Sequence, residues 1–240
     1  MFIRKSIPLL LIVVMLLAGC SFVRGSGVTV TETREVSNFD RVQLQSIGEL
    51  TIIQGEPESL TIEAESNIVR RIKTDVWGST LTIEFTGGGL GNVIPTEPIR
   101  YELTMKDISG VQLSGAGRIY SASIATRYLD LDVSGVGDVI IDSLVADDLE
   151  VDLTGAGTID LAGQIRDQEV KLSSVGNYSA GGLESYRARI VLSGAGTATL
   201  WVTEELDVDI SGVGSVDFYG NPVVTQDISG LGRLNNLGSP

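Results

Sequence analysis

Ser114-Gly-Ala-Gly117 is the stretch that decides the fold, because it returns down the chain at almost constant spacing. The returns are Ser134-Gly-Val-Gly137, Thr154-Gly-Ala-Gly157, Ser173-Ser-Val-Gly176, Ser193-Gly-Ala-Gly196, Ser211-Gly-Val-Gly214 and Ser229-Gly-Leu-Gly232. Successive starts are 20, 20, 19, 20, 18 and 18 residues apart. A fixed period in this range marks a solenoid, in which one repeat cannot bury its apolar face alone and stacks on its neighbours. The copy at Ser173 lacks its first glycine and is expected to disturb the stack locally.

Working outward from one copy, Leu129-Asp-Leu-Asp-Val133 precedes the glycine turn and Asp138-Val-Ile-Ile-Asp142 follows it. Apolar and polar residues alternate on both sides, which is the period of a strand buried on one face. Two glycines flank one small or apolar residue because stacked turns, about 4.8 Å apart, leave little room for a Cβ. The pattern predicts an all-β chain, a right-handed parallel β-helix of about 20 residues per rung. Leu129, Leu131, Val133, Leu149, Val151, Leu153, Ile190, Leu192, Leu206, Val208 and Ile210 are expected inside. Asp130, Asp132, Glu150, Asp152, Asp207 and Asp209 are expected to point out.

Composition narrows the function. The 240 residues contain no histidine and one cysteine, Cys20, so His-based triads, His-bearing zinc sites and intramolecular disulfides are excluded. Net charge is −14, a surface that repels nucleic acid phosphates and anionic lipid headgroups, so no nucleic-acid partner is expected and charge attraction is not expected to bind the chain to lipid. Residues 1–20 read as a signal peptide, with Arg4 and Lys5, the apolar run Ile7 to Leu17, and small residues before Cys20. The apolar run is too short for a comfortable membrane span.

Leu17-Ala-Gly-Cys20 resembles the bacterial lipobox, and that resemblance implies a diacylglyceryl thioether on Cys20 with an N-linked acyl chain such as palmitate. Two or three chains anchor durably, at about 0.8 kcal/mol per buried methylene. Ser21 is not the aspartate that retains some lipoproteins at an inner membrane. Residues 21–27 are expected to be a polar tether, and the chain to be exported and held at a bacterial cell or outer membrane.

Residues 28–98 alternate as strands but without the period, and form an N-terminal β-rich part of the same unit, either as irregular rungs or as a separate cap; residues 99–240 carry the repeats. Ile72 to Val76 and Thr80 to Phe85 read as a hairpin across Trp77-Gly-Ser79. Thr86 to Ile99, with Gly87-Gly-Gly89, Pro95 and Pro98, reads as a surface loop and not a phosphate cradle, because no Gly-Lys-Ser/Thr follows.

The lipobox, the opening Asn38-Phe-Asp-Arg-Val42, the Leu81-Thr-Ile83 strand and the Ser-Gly-x-Gly ladder together resemble the bacterial head GIN domain family of auto-transporter adhesins over about residues 28–232. The resemblance implies a surface-exposed parallel β-helix that acts as a binding, adhesive or structural module with no catalytic residues and no cofactor to carry over. No transmembrane-barrel pattern is read here, so a lipid anchor is expected to take its place. Partners implied are the membrane, through Cys20, and an extracellular glycan or protein.

Two other chemistries fit such a chain in principle. A polysaccharide lyase or hydrolase on a β-helix needs paired carboxylates that break the repeat, whereas Asp130, Asp132, Glu150 and Asp152 follow it. Calcium would relieve repulsion between stacked acids, although the nonapeptide calcium repeat is missing. Trp201 and Tyr219, 18 residues apart, are placed on adjacent rungs.

Overall fold

The computed structural model describes residues 22–87, 90 and 92–240. Residues 1–21, with the expected signal peptide and Cys20, lie outside them, as do three glycines of the loop after Thr86. The chain is all-β, a solenoid of about six turns with rungs roughly 20 residues apart. Among the described residues the helical content is a single 3-10 turn, Val69–Arg71.

The N-terminal strands are β1 (Val23–Arg24), β2 (Thr29–Arg34), β3 (Arg41–Leu44), β4 (Ile47–Gln54), β5 (Ser59–Glu65), β6 (Ile72–Trp77), β7 (Thr80–Phe85), β8 (Val93–Ile94) and β9 (Arg100–Met105). The repeats follow as β10 (Gly110–Leu113), β11 (Ala116–Ser121), β12 (Ile124–Ala125), β13 (Tyr128–Val133), β14 (Val136–Leu153), β15 (Ala156–Leu172), β16 (Gly176–Leu192) and β17 (Thr197–Ile210). The last rung and a half comprises β18 (Ser215–Tyr219), β19 (Val223–Ile228) and β20 (Arg233–Gly238).

Each rung has three sides. One strand leads into the glycine corner, a second leaves it, and the link to the next rung is a third, short paired segment, as where Ile124 and Ala125 register with Leu144 and Val145. Pairing throughout the repeats is parallel, so Val42, Val111, Leu131, Val151, Val170, Ile190 and Val208 form one interior column. All the residues expected inside are at most 2% exposed. Burying each such side chain is worth roughly 1.5–3 kcal/mol, which is what holds a rung to its neighbours.

The glycine corner is scaffold. At Gly137, φ is +148°, and a Cβ there would overlap the Gly117 carbonyl of the rung below. Gly135 has ordinary φ but its Cβ would overlap the Gly115 carbonyl. Space decides both positions, and backbone conformation adds to it only at Gly137. In the intact copies the second and third corner residues donate to the rung below, as Gly155 to Val133 and Ala156 to Gly135. The Ser174 and Val175 amides make no such bonds, and the Ser174 hydroxyl donates to the Leu153 carbonyl of the rung below instead (3.2 Å).

The N-terminal part is not a separate domain. β3 and β4 stack in register on β10 and β11, with Gln45-Ser-Ile-Gly48 in the corner and Gly48 at φ +143°. A further rung, β7 and β9, lies on β3 and β4. Beyond it the pairing turns antiparallel, with β6 on β7 and with β5 then β2 on β9. Arg34 joins the two flanges by donating to the carbonyls of Ile72 (2.8 Å) and Val69 (3.2 Å), while Ile68, Val69 and Ile72 close the core. The edge of the first rung is thereby covered.

The segment expected as a tether is docked from Val23 onward. β1 pairs with β8 inside the expected loop, and Gly27 donates to Glu65. Glu65 is fully buried, and its carboxylate also accepts from the Thr96 hydroxyl and the amides of Thr96 and Glu97. The Thr96 hydroxyl foremost, against the cost of burial, holds its pKa down to about 2. The resulting stability is complete above the ordinary 4.5 and is lost as pH falls toward 2.

Candidate functional site

A concavity with a largely apolar floor runs along the corner where the third side meets the strand that leads to the glycine turn. Its volume is 680 Å³. The strands here alternate outward, inward, outward, so two outward columns flank one inward column. The first outward column is Tyr128, Asp148, Asp167, Arg187, Glu205; the second is Asp130, Glu150, Glu169, Arg189, Asp207. The floor between them is Leu149, Gln168, Ala188 and Leu206. Ala188 is the smallest of these, and its rung deepens the groove.

The charges are interlocked. Arg187 grips Asp167 with two bonds, Nε to Oδ1 at 2.6 Å and a terminal nitrogen to Oδ2 at 2.8 Å. Arg166 reaches both Asp167 (3.0 Å) and Asp148 (3.3 Å). Arg189 pairs with Asp207, and Arg41 with Asp130 at the other end. Lys171 sits between Glu150 (3.1 Å) and Glu169 (3.3 Å), and the Tyr128 hydroxyl donates to Glu150 at 3.0 Å. Arg187 therefore holds the Asp167 carboxyl below its ordinary range, and Lys171 followed by Tyr128 does the same for Glu150. Burial, then the Glu150 carboxylate, pushes the Tyr128 phenol up to about 12.

Asp130, Asp132, Glu150, Asp152, Asp207 and Asp209 are all half-buried and on the outer face. They do not form the uninterrupted acidic ladder the sequence suggested, because Arg189 falls into the column of Asp130, Glu150 and Asp207, and Lys171 into that of Asp132, Asp152 and Asp209. Side-chain cations supply the relief assigned to calcium, and no group of three or more metal-ligating residues is assembled among the described residues. For glycoside or lyase chemistry, a groove acid would have to keep its proton near neutrality. Glu150 and Asp167 are shifted the opposite way.

One carboxyl does move upward, Asp132, on the neighbouring outward column. Burial is the main cause and stacked Asp152 adds to it, against a hydrogen bond from Gln112. A raised carboxyl contributes stability below the ordinary 3.8 and loses it as pH rises through its folded value. Asp132→Asn is thus expected to raise the urea midpoint slightly at pH 7 and to have no such effect below pH 3.8; equal gain at both would contradict the assignment.

Trp201 and Tyr219 are register partners on adjacent rungs. The sequence did not reveal the groove itself, since Arg187 and Arg189 break the acidic alternation only by type; their shared strand and two-residue spacing were the available signal. Cys20 lies outside the described residues.

Fold and groove together define a non-globular, repeat-built surface with a fixed charged corner, the class of a β-solenoid binding module. Residues 38–222 match the model of the family described as "Putative auto-transporter adhesin, head GIN domain". The chain belongs to that family, an adhesin family, which points to a binding role at the cell surface or outside the cell. The solved "putative adhesin" from Bacteroides fragilis is 26% identical, with a TM-score of 0.85 over 90% of this chain and 100% of that one. A "putative adhesin" from Parabacteroides merdae is 21% identical, TM-score 0.69, over 90% and 99%. A Parabacteroides distasonis protein titled "Putative lipid binding protein" is 18% identical, TM-score 0.68, over 90% and 99%, and shares the fold. No match was found among curated proteins.

Proposed function

We propose that the chain is a lipid-anchored envelope protein, tied to a bacterial cell or outer membrane through Cys20, whose solenoid binds an extracellular glycan or protein without catalysing its turnover. The observation that carries this reading is the corner groove. Stacked backbone fixes Tyr128, Arg187, Arg189 and their acidic partners at rung spacing, so a long ligand meets pre-ordered groups and little entropy is lost on binding. Groove carboxylates locked in ion pairs favour recognition over proton transfer.

Glycan and protein-fragment arrays probed with the wild type and with Arg187→Glu/Arg189→Glu test the groove. A ligand bound by the wild type is expected to lose at least about tenfold in affinity with the double variant, as rupture of desolvated charge contacts commonly costs. Equal binding would remove the groove from the reading. Polysaccharide lyase and hydrolase assays run alongside; product formation abolished by changing one groove carboxylate would establish the enzyme instead. Cys20→Ser is expected to move the protein from the membrane to the soluble exported fraction.

A further inference from the structure

The N-terminal end of the rod carries groups that neither the stacking nor the groove uses. Trp77 is 88% exposed and Phe22 is 63% exposed. Trp77 registers with Thr80, Thr80 with Arg41, and Arg41 with Gly110 and the groove column, so Trp77 stands at the terminal strand of the cap on its outer side. An indole so exposed at the end of a rod offers a large amphipathic surface with no partner of its own.

Around the other end of the same terminal strand lie Arg24, Arg70 and Arg71, all exposed. Asn67 ties them together, donating to the Arg24 carbonyl (2.8 Å) and accepting from the Ser26 amide (3.0 Å) one turn before Arg70. These three form no ion pair among the described residues, whereas the basic residues along the rungs, Arg118, Arg127, Arg166, Lys171, Arg187 and Arg189, are each paired with a carboxylate. Arg233, exposed on the last strand at the opposite end, is likewise without an ion pair among the described residues, so the cap gathers three free arginines and the far end carries one. The chain beyond residue 20 carries 15 positive and 31 negative side chains, a net charge of −16, so the body of the rod is acidic.

The length of chain between Cys20 and the docked β1 fixes the distance. Val23 is three residues from Cys20, which spans at most about 10 Å when extended. We infer that the cap is a membrane-apposed face: Trp77 and Phe22 seat in the headgroup interface of an anionic bilayer, Arg24, Arg70 and Arg71 meet lipid phosphates, and the rod stands with its later rungs outward. This rests on the lipid anchor at Cys20. Lipid phosphates attract the local patch of Arg24, Arg70 and Arg71, while the acidic rungs beyond it are repelled, which favours the rod standing with this patch inward. Tryptophan is favoured at this depth because its ring is apolar and its N–H stays hydrated.

The test uses the lipidated full chain in vesicles of phosphatidylethanolamine and phosphatidylglycerol with brominated acyl chains. Trp77 and Trp201 are the two tryptophans, and Trp201 lies far along the stack. Wild-type emission is expected to shift to the blue and Trp77 to be quenched about twofold, as an interfacial indole is. Trp77→Phe, which leaves Trp201, should show neither change, and Trp201→Phe should show both. Arg70→Glu/Arg71→Glu should reduce the quenching, and so should high salt. If wild type and Trp77→Phe sediment with the vesicles and are quenched equally, the apposed face is overturned while the anchor stands. If Cys20→Ser stays in the membrane fraction of cells and its Trp77 is still quenched, the anchor is overturned and the face stands.

Discussion

Replacing Gly137 by valine is expected to destabilise the protein by about 3–5 kcal/mol, the range of backbone strain combined with overpacking. Two independent costs meet there. The residue sits at φ +148°, where a β-branched side chain is strained, and its Cβ would overlap the Gly117 carbonyl directly beneath it. The neighbour cannot give way, because that carbonyl belongs to the next corner of the stack. A fall in melting temperature of about 10 °C or more follows for a chain of this size. Alanine is expected to be nearly as damaging, since the overlap is with Cβ itself. Ser174→Gly is the complementary case: it restores the glycine missing from the Ser173 corner and is expected to cause no loss of that order. An unchanged melting temperature in Gly137→Val would disprove the stacked-corner assignment.

Tyr178→Ala is the second large effect, at about 3–5 kcal/mol by the general cost of deleting a buried aromatic side chain. Tyr178 occupies the interior column otherwise held by Ile159 and Ala198, and the alanine above it makes room for the ring. Its hydroxyl donates to Gln168 Oε1 (2.8 Å), Gln168 Nε2 donates to Ser185 Oγ (2.7 Å), and that hydroxyl donates to the Trp201 carbonyl (2.9 Å). Truncation therefore leaves a cavity and a glutamine, 3% exposed, without its acceptor satisfied. Tyr178→Phe separates the two: it keeps the ring and loses only the hydrogen bond, at about 1–3 kcal/mol. Thermal or urea unfolding of the two variants reads the difference; equal losses would show that the hydroxyl, not the ring, carries the effect.

What could be read from the sequence followed from periodicity. Glycine pairs at 18–20-residue spacing have few physical explanations, so the solenoid, its interior residues and the role of the corner were legible. Gln45-Ser-Ile-Gly48 was not, because serine and isoleucine replace the first glycine and the small residue, and the excursion from residue 55 to 109 separates it from the next copy. The third side of each rung was hidden for a related reason: Ile124–Ala125 is two residues long, too short for alternation to show. The groove was legible only as composition. Which acids face which bases depends on the register between rungs, and one skipped residue, as between Asp160 and Ala162, changes every partner after it on that side.

The cap is also local in sequence. Every strand that covers the first rung, and the first rung itself, comes from residues 29–105, before the glycine repeats begin. A chain delivered across a membrane from its N-terminus therefore presents a finished template while the repeats are still behind it. Each later stretch of about 20 residues needs only the rung already formed to pair with, so loop closure stays short and the exposed edge is one rung deep at any moment. Assembly can keep pace with export, in the order of the chain, like a column laid course by course on a completed foundation.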